Sequence, residues 1–352
     1  MTYDPLQDRR LDPRTRALLA GLDEPLLSQA AEAESRQAAI DLANSAAAIA
    51  AETEMLAGME VMDDEAQFPS SGLRIIRDHL TSLPDGNSIP LKIIRPDTDD
   101  VLPTVLYIHG GAMATMSFEF ATYRAWSKAL AHQQLCVVMV DFRNSLRPSS
   151  SGEIAPFPAG LNDCVSAYRW THENIAQHGG SADDIIIAGD SGGGNLAIAT
   201  VMKLCRDFDT KPLGLYALCP YILGAWPNPD YPSSIENEGV LISVANNHAS
   251  MAYGIEALNA KDPLAWPAFA SVEDVRDFPP TMVSINECDP LRDEGLAFYR
   301  LLLEAGVTAH CRQLMGTVHA NEMFTALTPD ITRMTARDIR SWISECKLLR
   351  QS

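Results

Sequence analysis

The sequence predicts an α/β fold with one mostly parallel central sheet, helices on both of its faces and a helical cap. From residue 102 onward, apolar segments of strand length alternate with stretches of helical pattern. This alternation is typical of a parallel sheet covered by helices. The 352 residues suit one such domain plus a cap, because a chain of this length can bury a large core. The predicted strands are 104–108, 135–140, 184–188, 213–218, 281–285 and 307–314.

The residues before this region predict helices followed by an antiparallel hairpin. Asp12-Pro13 is a typical helix start, with residues 14–22 as the body of that helix. The alanine-rich stretch 38–51 predicts one further helix. Strands at 73–81 and 89–94, joined by a turn at 84–87, form the hairpin at the leading edge of the sheet. We assign residues 1–68 to an N-terminal helical part of the cap.

A long insertion separates the predicted strand ending near Cys219 from the one beginning near Thr281. The interval is far longer than an ordinary connection between strands, and it contains a helical pattern at 244–258. We assign 221–262 to a cap insertion and 69–220 with 263–352 to the catalytic domain. The alternative is a peripheral excursion that never contacts substrate.

The segment Gly189-Asp190-Ser191-Gly192-Gly193 directly follows the apolar run 185–188. A Gly-x-Ser-x-Gly turn between a buried strand and a helix exposes the serine Oγ on a tight turn. A helical pattern follows at 195–203, and the N-terminus of such a helix places positive potential beside the serine. Ser191 is therefore the candidate nucleophile. A glycine-rich turn with an incidental serine is the alternative when the motif stands alone.

Upstream, the loop His109-Gly110-Gly111 follows the predicted strand at 104–108. Glycines there let backbone N–H groups approach a substrate carbonyl, and each preorganised donor can stabilise an oxyanion by roughly 3 kcal/mol. We assign a candidate oxyanion hole to the N–H groups of Gly110, Gly111 and Gly192. His109 lies in the turn and ahead of Ser191 in sequence, so we interpret it as a loop organiser rather than as a base.

Downstream, an acidic loop follows the predicted strand at 281–286. Asp289 is the candidate acid of a catalytic triad, and Glu287 is the competing acid. Asp293 and Glu294 are interpreted as first-turn residues of the next helix, stabilised by its dipole. His319 lies in a glycine-bearing loop predicted at 316–320, after the last strand, and is the candidate base. The other histidines fall in predicted helices, strands or the cap.

Ser191, Asp289 and His319 follow one another in the order that α/β-hydrolases use. Together with the loop 109–111 and the stretch 289–295, they make the chain resemble the bacterial hormone-sensitive-lipase family (family IV) of esterases. The likeness extends from about residue 73 to the C-terminus and includes 137–144, 192–200 and 262–267. The resemblance implies the α/β-hydrolase fold and hydrolysis of carboxylic esters through an acyl-enzyme, with no cofactor and no metal.

Two positions depart from the usual pattern of that family. This chain has Ala112 where many members have a third glycine, and Gly192 where many have alanine. Neither change removes a backbone N–H, so the candidate oxyanion hole is retained. Members with this type of loop often accept bulky alcohol groups, which the resemblance extends to this chain as an expectation.

The chain has 46 acidic and 27 basic residues and a formal net charge of -19. This charge disfavours nucleic acid and anionic membrane surfaces as partners. No apolar run approaches the roughly 20 residues needed to span a bilayer, and residues 1–5 lack the pattern of a signal peptide. The seven cysteines are scattered and predict reduced thiols, at Cys136, Cys219 and Cys311 in apolar strands. Together these features predict a cytoplasmic protein.

The sequence therefore predicts a serine carboxylesterase for short- to medium-chain esters, with a small-molecule ester as its partner. The resemblance is compatible with a homodimer. A lactonase or an amidase on the same fold is an alternative, because acyl transfer to serine is common to all three. A non-catalytic ligand-binding protein is a second alternative, although such proteins typically lose a member of the triad.

Overall fold

The computed structural model describes residues 4–21 and 32–351. Its strands are β1 Leu73–Thr81, β2 Ser88–Pro96, β3 Leu102–Ile108, β4 Cys136–Val140, β5 Gly180–Asp190, β6 Gly214–Leu218, β7 Thr281–Cys288 and β8 Ala309–Val318. They form one sheet of eight strands in the order β1-β2-β4-β3-β5-β6-β7-β8. β2 is antiparallel to both of its neighbours, and the six strands from β4 to β8 are parallel. The prediction of a mostly parallel sheet with a hairpin at its leading edge is confirmed.

The helices described in the structure lie on both faces of the sheet and around its carboxyl edge. They are α1 Pro13–Ala20, α2 Arg36–Ala43, α3 Ala46–Met59, α4 Ala121–Ala131, α5 Ala159–Asn174, α6 Gly192–Asp207, α7 Ser233–Glu236, α8 His248–Asn259, α9 Val272–Val275, α10 Arg292–Glu304 and α11 Pro329–Gln351. Short 3-10 turns occupy Pro5–Gln7, Glu60–Met62, Ile175–His178, Pro267–Phe269 and Asn321–Met323. Within 4–21 and 32–351, no helix is both long and apolar enough to cross a bilayer.

The central strands are apolar throughout because both faces of the sheet are covered. In β4, Val138 and Val140 pack into the core beneath α5, α6 and α10, whereas Val137 and Met139 pack into the core beneath α4 and α11. All four side chains are buried. A strand buried on both faces has a continuous apolar run instead of the alternation of a half-exposed strand.

The helix expected at 38–51 is two helices, α2 and α3. Asn44 ends α2, and Ser45 caps α3 by accepting a hydrogen bond from the Ala48 N–H at 3.3 Å. Serine favours such a cap position because its hydroxyl satisfies an N–H that has no partner within the helix. The helix expected at 14–22 is α1, with Asp12 as its N-cap. Residues 22–31, which include the last residue of that predicted helix, lie outside the described residues. So do residues 1–3, which belong to the predicted N-terminal part of the cap and to the segment expected to lack a signal-peptide pattern.

The last strand continues further than expected. β8 runs to Val318, which pairs with Cys288 of β7 after an irregularity in register. Within that irregularity the Gly316 N–H donates to Glu287 Oε2 at 2.7 Å. The prediction of a loop at 316–320 is therefore wrong for residues 316–318, which belong to the strand. The Glu287 carboxylate satisfies the Gly316 N–H where the backbone pairing is interrupted, so the strand continues. His319 follows directly on the strand end.

All seven cysteines are free. Cys136 and Cys219 are buried as predicted, whereas Cys311 is half-buried. Burial raises the pKa of the Cys136 thiol to about 12, so this group stays protonated at neutral pH.

Glu294 lies in the first turn of α10 and is buried. Its Oε1 accepts the N–H groups of Ile222 at 2.7 Å and Leu223 at 3.2 Å, and its Oε2 accepts Trp226 Nε1–H at 2.7 Å. Burial raises the pKa of Glu294 to about 8. The prediction that Glu294 lies in the first turn of the helix is confirmed. The three donors, which the sequence did not reveal, explain why this side chain is buried. Glu294 thereby ties the start of the insertion after β6 to the loop after β7.

We expect Glu294→Gln to lower the free energy of unfolding by about 1–3 kcal/mol, because the amide NH₂ replaces one acceptor and leaves a buried donor unpaired. Urea unfolding measures the loss. The control is Glu304→Gln, an exposed residue at the other end of α10, for which we expect a change within about 0.5 kcal/mol. Equal losses in the two variants would contradict the anchoring role.

Candidate active site

Ser191 occupies the turn between β5 and α6, with φ 54° and ψ -120°. A non-glycine residue in this sparsely populated region costs on the order of 1–3 kcal/mol and is typical of functional sites. Hydrogen bonds hold the turn, since the Ser191 N–H donates to Leu218 O and its carbonyl accepts from the Tyr221 N–H, both at 3.0 Å. Gly193 lets the turn approach β3, because a Cβ there would lie 2.1 Å from Ile108 O.

His319 and Asp289 are bonded to each other at the same edge of the sheet. His319 Nδ1 lies 2.8 Å from Asp289 Oδ2, so Nδ1 carries the proton in the neutral ring and Nε2 is free to accept one. Asp289 Oδ1 accepts the Leu291 N–H at 2.9 Å, which orients the carboxylate. Burial alone would lower the pKa of His319, but the Asp289 carboxylate outweighs it and raises that pKa above its usual range.

Glu287, the competing acid, does not reach the histidine. Its Oε2 accepts the Gly316 N–H at 2.7 Å, and its carbonyl oxygen accepts from Arg292 Nη1 at 3.0 Å. Asp289 is therefore the acid that the fold brings to His319.

Ser191 and His319 line one cavity above the carboxyl edge of the sheet. No hydrogen bond joins Ser191 Oγ to a partner among the residues that the structure describes. Catalytic hydrogen bonds of this kind commonly tighten only when substrate fills the site. The three sequence-predicted residues thus meet at one place, with the histidine already bonded to its acid.

The structure corrects one member of the expected oxyanion hole. The Gly110 N–H donates to Tyr123 Oη at 2.7 Å, so this donor is engaged and unavailable to a substrate. The next two residues, Gly111 and Ala112, line the cavity, and Ala112 has a left-handed φ of 54°. Among the described residues their N–H groups have no acceptor, and neither has that of Gly192. The available donors are therefore those of Gly111, Ala112 and Gly192.

Gly192 and Ala112 depart from the family pattern at positions that lie against each other. A Cβ on Gly192 would lie 2.6 Å from the Ala112 nitrogen and 2.5 Å from the Met113 nitrogen. An alanine at 192 would therefore push this loop away from the serine. The glycine allows the loop to approach more closely than a side chain would permit.

His109 supports the loop from beneath and does not line the cavity. The ring is fully buried and stacks on Phe142 with centroids 4.4 Å apart. Its Nδ1 donates to the Gly110 carbonyl at 2.8 Å, and its Nε2 lies 3.2 Å from Asp141 Oδ1. Burial opposes the charge of Asp141, but the neighbouring His109 ring and the hydrogen bond from Ser117 keep the pKa of this carboxyl below its usual range. These contacts agree with a role in organising the loop.

The cavity has a volume of about 620 Å³, which is in the usual range for small-molecule sites. Its wall is mostly apolar and comes from α2, α3, the insertion after β6, and the loops around Ser191 and His319. Apolar lining residues include Leu42, Ala48, Met55, Met59, Phe120, Leu146, Leu241, Ile242, Met323 and Phe324. Arg147, a cation in the lining, is paired with Glu52. The cavity is thus suited to neutral, largely apolar molecules.

Among the described residues, one group of side chains is compact enough to ligate a metal ion. Atoms of Cys219, Asp289 and His319 lie within 4.8 Å of one another. Two of these groups already bond to each other, and burial raises the pKa of Cys219 well above its usual range. A neutral thiol is a poor metal ligand, so this group is better suited to proton transfer than to ligation.

Sequence reasoning missed the roles of Ala112, Tyr123 and Asp190. Asp190 lies within the recognised motif, and a buried carboxylate there must find donors, which is a usable signal. Its donors are Tyr107 and Tyr123, both at 2.9 Å. Nothing in the local sequence around either tyrosine marks it, because the contact joins residues far apart in the chain.

The chain matches known proteins along most of its length. A family model described as the alpha/beta hydrolase fold matches residues 105–323. The carboxylesterase NlhH of Mycobacterium tuberculosis is 31% identical over 255 residues, which cover 71% of this chain and 76% of that protein. The arylesterase of Saccharolobus solfataricus is 30% identical and covers 66% of this chain and 72% of its own length.

Two solved structures are similar over nearly the whole chain. Esterase Est22 is 48% identical, has a TM-score of 0.93, and covers 98% of this chain and 99% of its own. Brefeldin A esterase, a bacterial homologue of human hormone-sensitive lipase, is 33% identical, has a TM-score of 0.83, and covers 98% of this chain and 96% of its own. The family and the fold that the sequence resembles are both confirmed.

We expect Asp289→Asn to lower the pKa of His319, because burial then disfavours the imidazolium without the opposing carboxylate. Titration of the His319 ring signals by NMR, assigned with a His319 variant, measures the shift. The matched control is Glu287→Gln, which changes an acid two residues away that does not touch the ring. A shift of the same size in the control would contradict the pairing.

Proposed function

The chain belongs to the hormone-sensitive-lipase-like branch of the alpha/beta hydrolase family and hydrolyses carboxylic ester bonds, and we propose that it does so as a serine esterase. The observation that carries this proposal is the His319–Asp289 hydrogen bond beside the strained Ser191 turn, in one cavity. With this membership, a non-catalytic binding role is set aside.

In the proposed reaction, Ser191 Oγ attacks the ester carbonyl carbon and its proton passes to His319 Nε2. Asp289 holds the ring and stabilises the imidazolium that forms. The carbonyl oxygen becomes an oxyanion bound by the N–H groups of Gly111, Ala112 and Gly192. Collapse of this intermediate breaks the ester C–O bond, and His319 returns the proton to the leaving alcohol.

The second half of the proposed reaction releases the acid. Water attacks the acyl-enzyme carbonyl and gives a proton to His319 Nε2, and the same three N–H groups bind the oxyanion. Collapse then expels Ser191 Oγ, which regains the proton from His319. Because the base must be neutral, activity falls as the pH drops through the raised pKa of His319.

The proposed substrates are neutral esters of short to medium acyl chain length. The apolar wall favours uncharged groups. Arg147 is paired with Glu52, so its charge is not available to bind a substrate carboxylate. The cavity volume of about 620 Å³ also accommodates a bulky alcohol. One structure of Est22 holds p-nitrophenol, the alcohol of p-nitrophenyl esters, which makes these esters suitable probes.

We also propose that the N-terminal part and the insertion form one cap, with the boundaries 1–68 and 221–262. The two parts bond to each other, since the Ala33 N–H donates to Asn247 Oδ1 at 2.8 Å and Asn247 Nδ2 donates to Ala33 O at 3.0 Å. Arg36 Nε also donates to Ala252 O at 3.2 Å. Residues of both parts line the cavity, among them Ala48 and Ile242. The cytoplasmic location and the homodimer stay predictions.

We expect Ser191→Ala to lower kcat for a p-nitrophenyl ester by at least about 10³-fold, because the nucleophile is lost. Far-UV circular dichroism and urea unfolding check that the fold is retained. An aryl phosphonate should label the wild type at Ser191, as read by peptide mass, and should not label the variant. The control is Ser344→Ala, an exposed serine. Hydrolysis by Ser191→Ala at the wild-type rate would refute the proposal.

An amide and a lactone of matched acyl group, assayed beside the ester, separate the alternatives. We expect the ester to have the highest kcat/KM. A higher value for either of the other two would reassign the substrate class while leaving the serine mechanism in place.

We expect Ala48→Phe to lower kcat/KM for the longest accepted acyl ester by about 10-fold or more relative to the acetate. The added phenyl ring occupies cavity space that a long acyl chain needs, whereas the acetyl group does not reach it. A chain-length series of p-nitrophenyl esters measures the ratio. The matched control is Ala50→Phe, since Ala50 lies on the same helix but is exposed and does not line the cavity. Equal ratios in both variants would contradict the role of α3 in selecting substrates.

A further inference from the structure

We propose that Tyr123 of α4 is a positioning residue. Its hydroxyl holds the loop of residues 109–112, which carries the candidate oxyanion donors Gly111 and Ala112, at a fixed distance from Ser191. It accepts a hydrogen bond from the Gly110 N–H at 2.7 Å and donates one to Asp190 Oδ2 at 2.9 Å. Asp190 directly precedes Ser191 in the chain. The inference rests on the proposed function, because it concerns how the donors of that reaction are held.

The direction of each hydrogen bond follows from the atoms available. A phenol has one proton, and the Gly110 nitrogen can only donate, so Tyr123 Oη must accept from Gly110 and donate to Asp190. Tyr107 donates to the other oxygen, Asp190 Oδ1, at 2.9 Å. All four residues are buried. The carboxylate therefore has a donor on each oxygen, and one of these donors also holds the loop.

The protonation states agree with these directions. Burial and the neighbouring Asp190 raise the pKa of Tyr123 well above its usual range. Burial and Asp190 act in the same way on Tyr107. Both hydroxyls stay protonated at neutral pH and can donate to Asp190, whose own pKa is raised by burial against the opposing effect of these two hydrogen bonds.

The space around Gly110 shows how closely the loop fits this group. A Cβ at Gly110 would lie 2.5 Å from Asp190 Oδ2 and 2.8 Å from Tyr123 Oη. The loop backbone is thus in direct contact with both partners. With the Gly110 N–H held away from the cavity, the following residues Gly111 and Ala112 line it instead.

Tyr123 differs from the groups that would bind the oxyanion. Its one proton points to Asp190, so it has none to offer a substrate oxygen. Tyr123 also lines the cavity, but with no proton to offer it acts on the reaction through the loop, whose N–H groups must lie within hydrogen-bond distance of the oxyanion. A displacement of about 1 Å in such a site can cost about 100-fold in rate.

The experiment compares Tyr123→Phe with Tyr107→Phe. Both changes remove one buried hydroxyl that donates to Asp190, but only Tyr123 contacts the loop. For a p-nitrophenyl ester we expect Tyr123→Phe to lower kcat by about 10- to 100-fold with little change in KM, because the loop is displaced in the transition state. We expect Tyr107→Phe to lower kcat by no more than about 3-fold, since its hydroxyl does not touch the loop.

A trifluoromethyl ketone provides a readout that loss of stability alone would not move. Ser191 Oγ adds to the ketone carbon, the proton passes to His319, and the carbonyl oxygen becomes an oxyanion held by the loop. We expect its inhibition constant to rise in Tyr123→Phe by the same factor as kcat/KM falls, and to change little in Tyr107→Phe. Urea unfolding of both variants gives the loss of stability separately.

Equal losses of kcat and of ketone affinity in the two variants would overturn the proposal, and so would a Tyr123→Phe enzyme with wild-type kcat. If Tyr123→Phe does not fold, Asp190→Ala serves instead, because it removes the acceptor of the Tyr123 hydroxyl; wild-type kcat there would also overturn the proposal. Two results together would refute the serine mechanism itself: the wild type forms no ketone adduct, and Ser191→Ala keeps the wild-type activity. This outcome is distinguishable from failure of the Tyr123 proposal, which leaves the activity dependent on Ser191.

Discussion

The turn at Ser191 is the constraint on which the rest of the site depends. A serine at φ 54° is unfavourable by on the order of 1–3 kcal/mol, so the surrounding structure must hold it. The neighbouring strand and the segment after it do so through Leu218 O and the Tyr221 N–H. Gly193 allows the turn to lie against β3. The position of Ser191 at the cavity and the adjacent helix N-terminus are both consequences of this geometry.

Three buried carboxylates then join segments that are distant in sequence. Asp289 orients His319, Asp190 binds Tyr107 and Tyr123, and Glu294 binds the first residues of the insertion after β6. A buried carboxylate is costly unless donors satisfy it, so each one recruits N–H or O–H groups from other elements. The same need for hydrogen-bond donors also sets the relative positions of the loops around the cavity.

The floor and the wall of the cavity differ in polarity. The floor is polar and held by hydrogen bonds, whereas the wall is mostly apolar and comes from α2, α3, the insertion and the loops around Ser191 and His319. Small side chains such as Ala48 leave the volume open, and longer ones such as Met55 and Met59 narrow it.

Local sequence patterns predicted the strands of the sheet, the turn at Ser191, and the acid and the histidine, Asp289 and His319, that the fold brings together. These features have local signals: apolar runs, a glycine-flanked serine, and polar residues where strands end. Only the tertiary structure decided that Gly110 donates to Tyr123, that Ala112 supplies a free N–H in its place, and how far β8 extends. The reason is physical, because each of these depends on hydrogen bonds between segments far apart in the chain, whose partners no local pattern specifies.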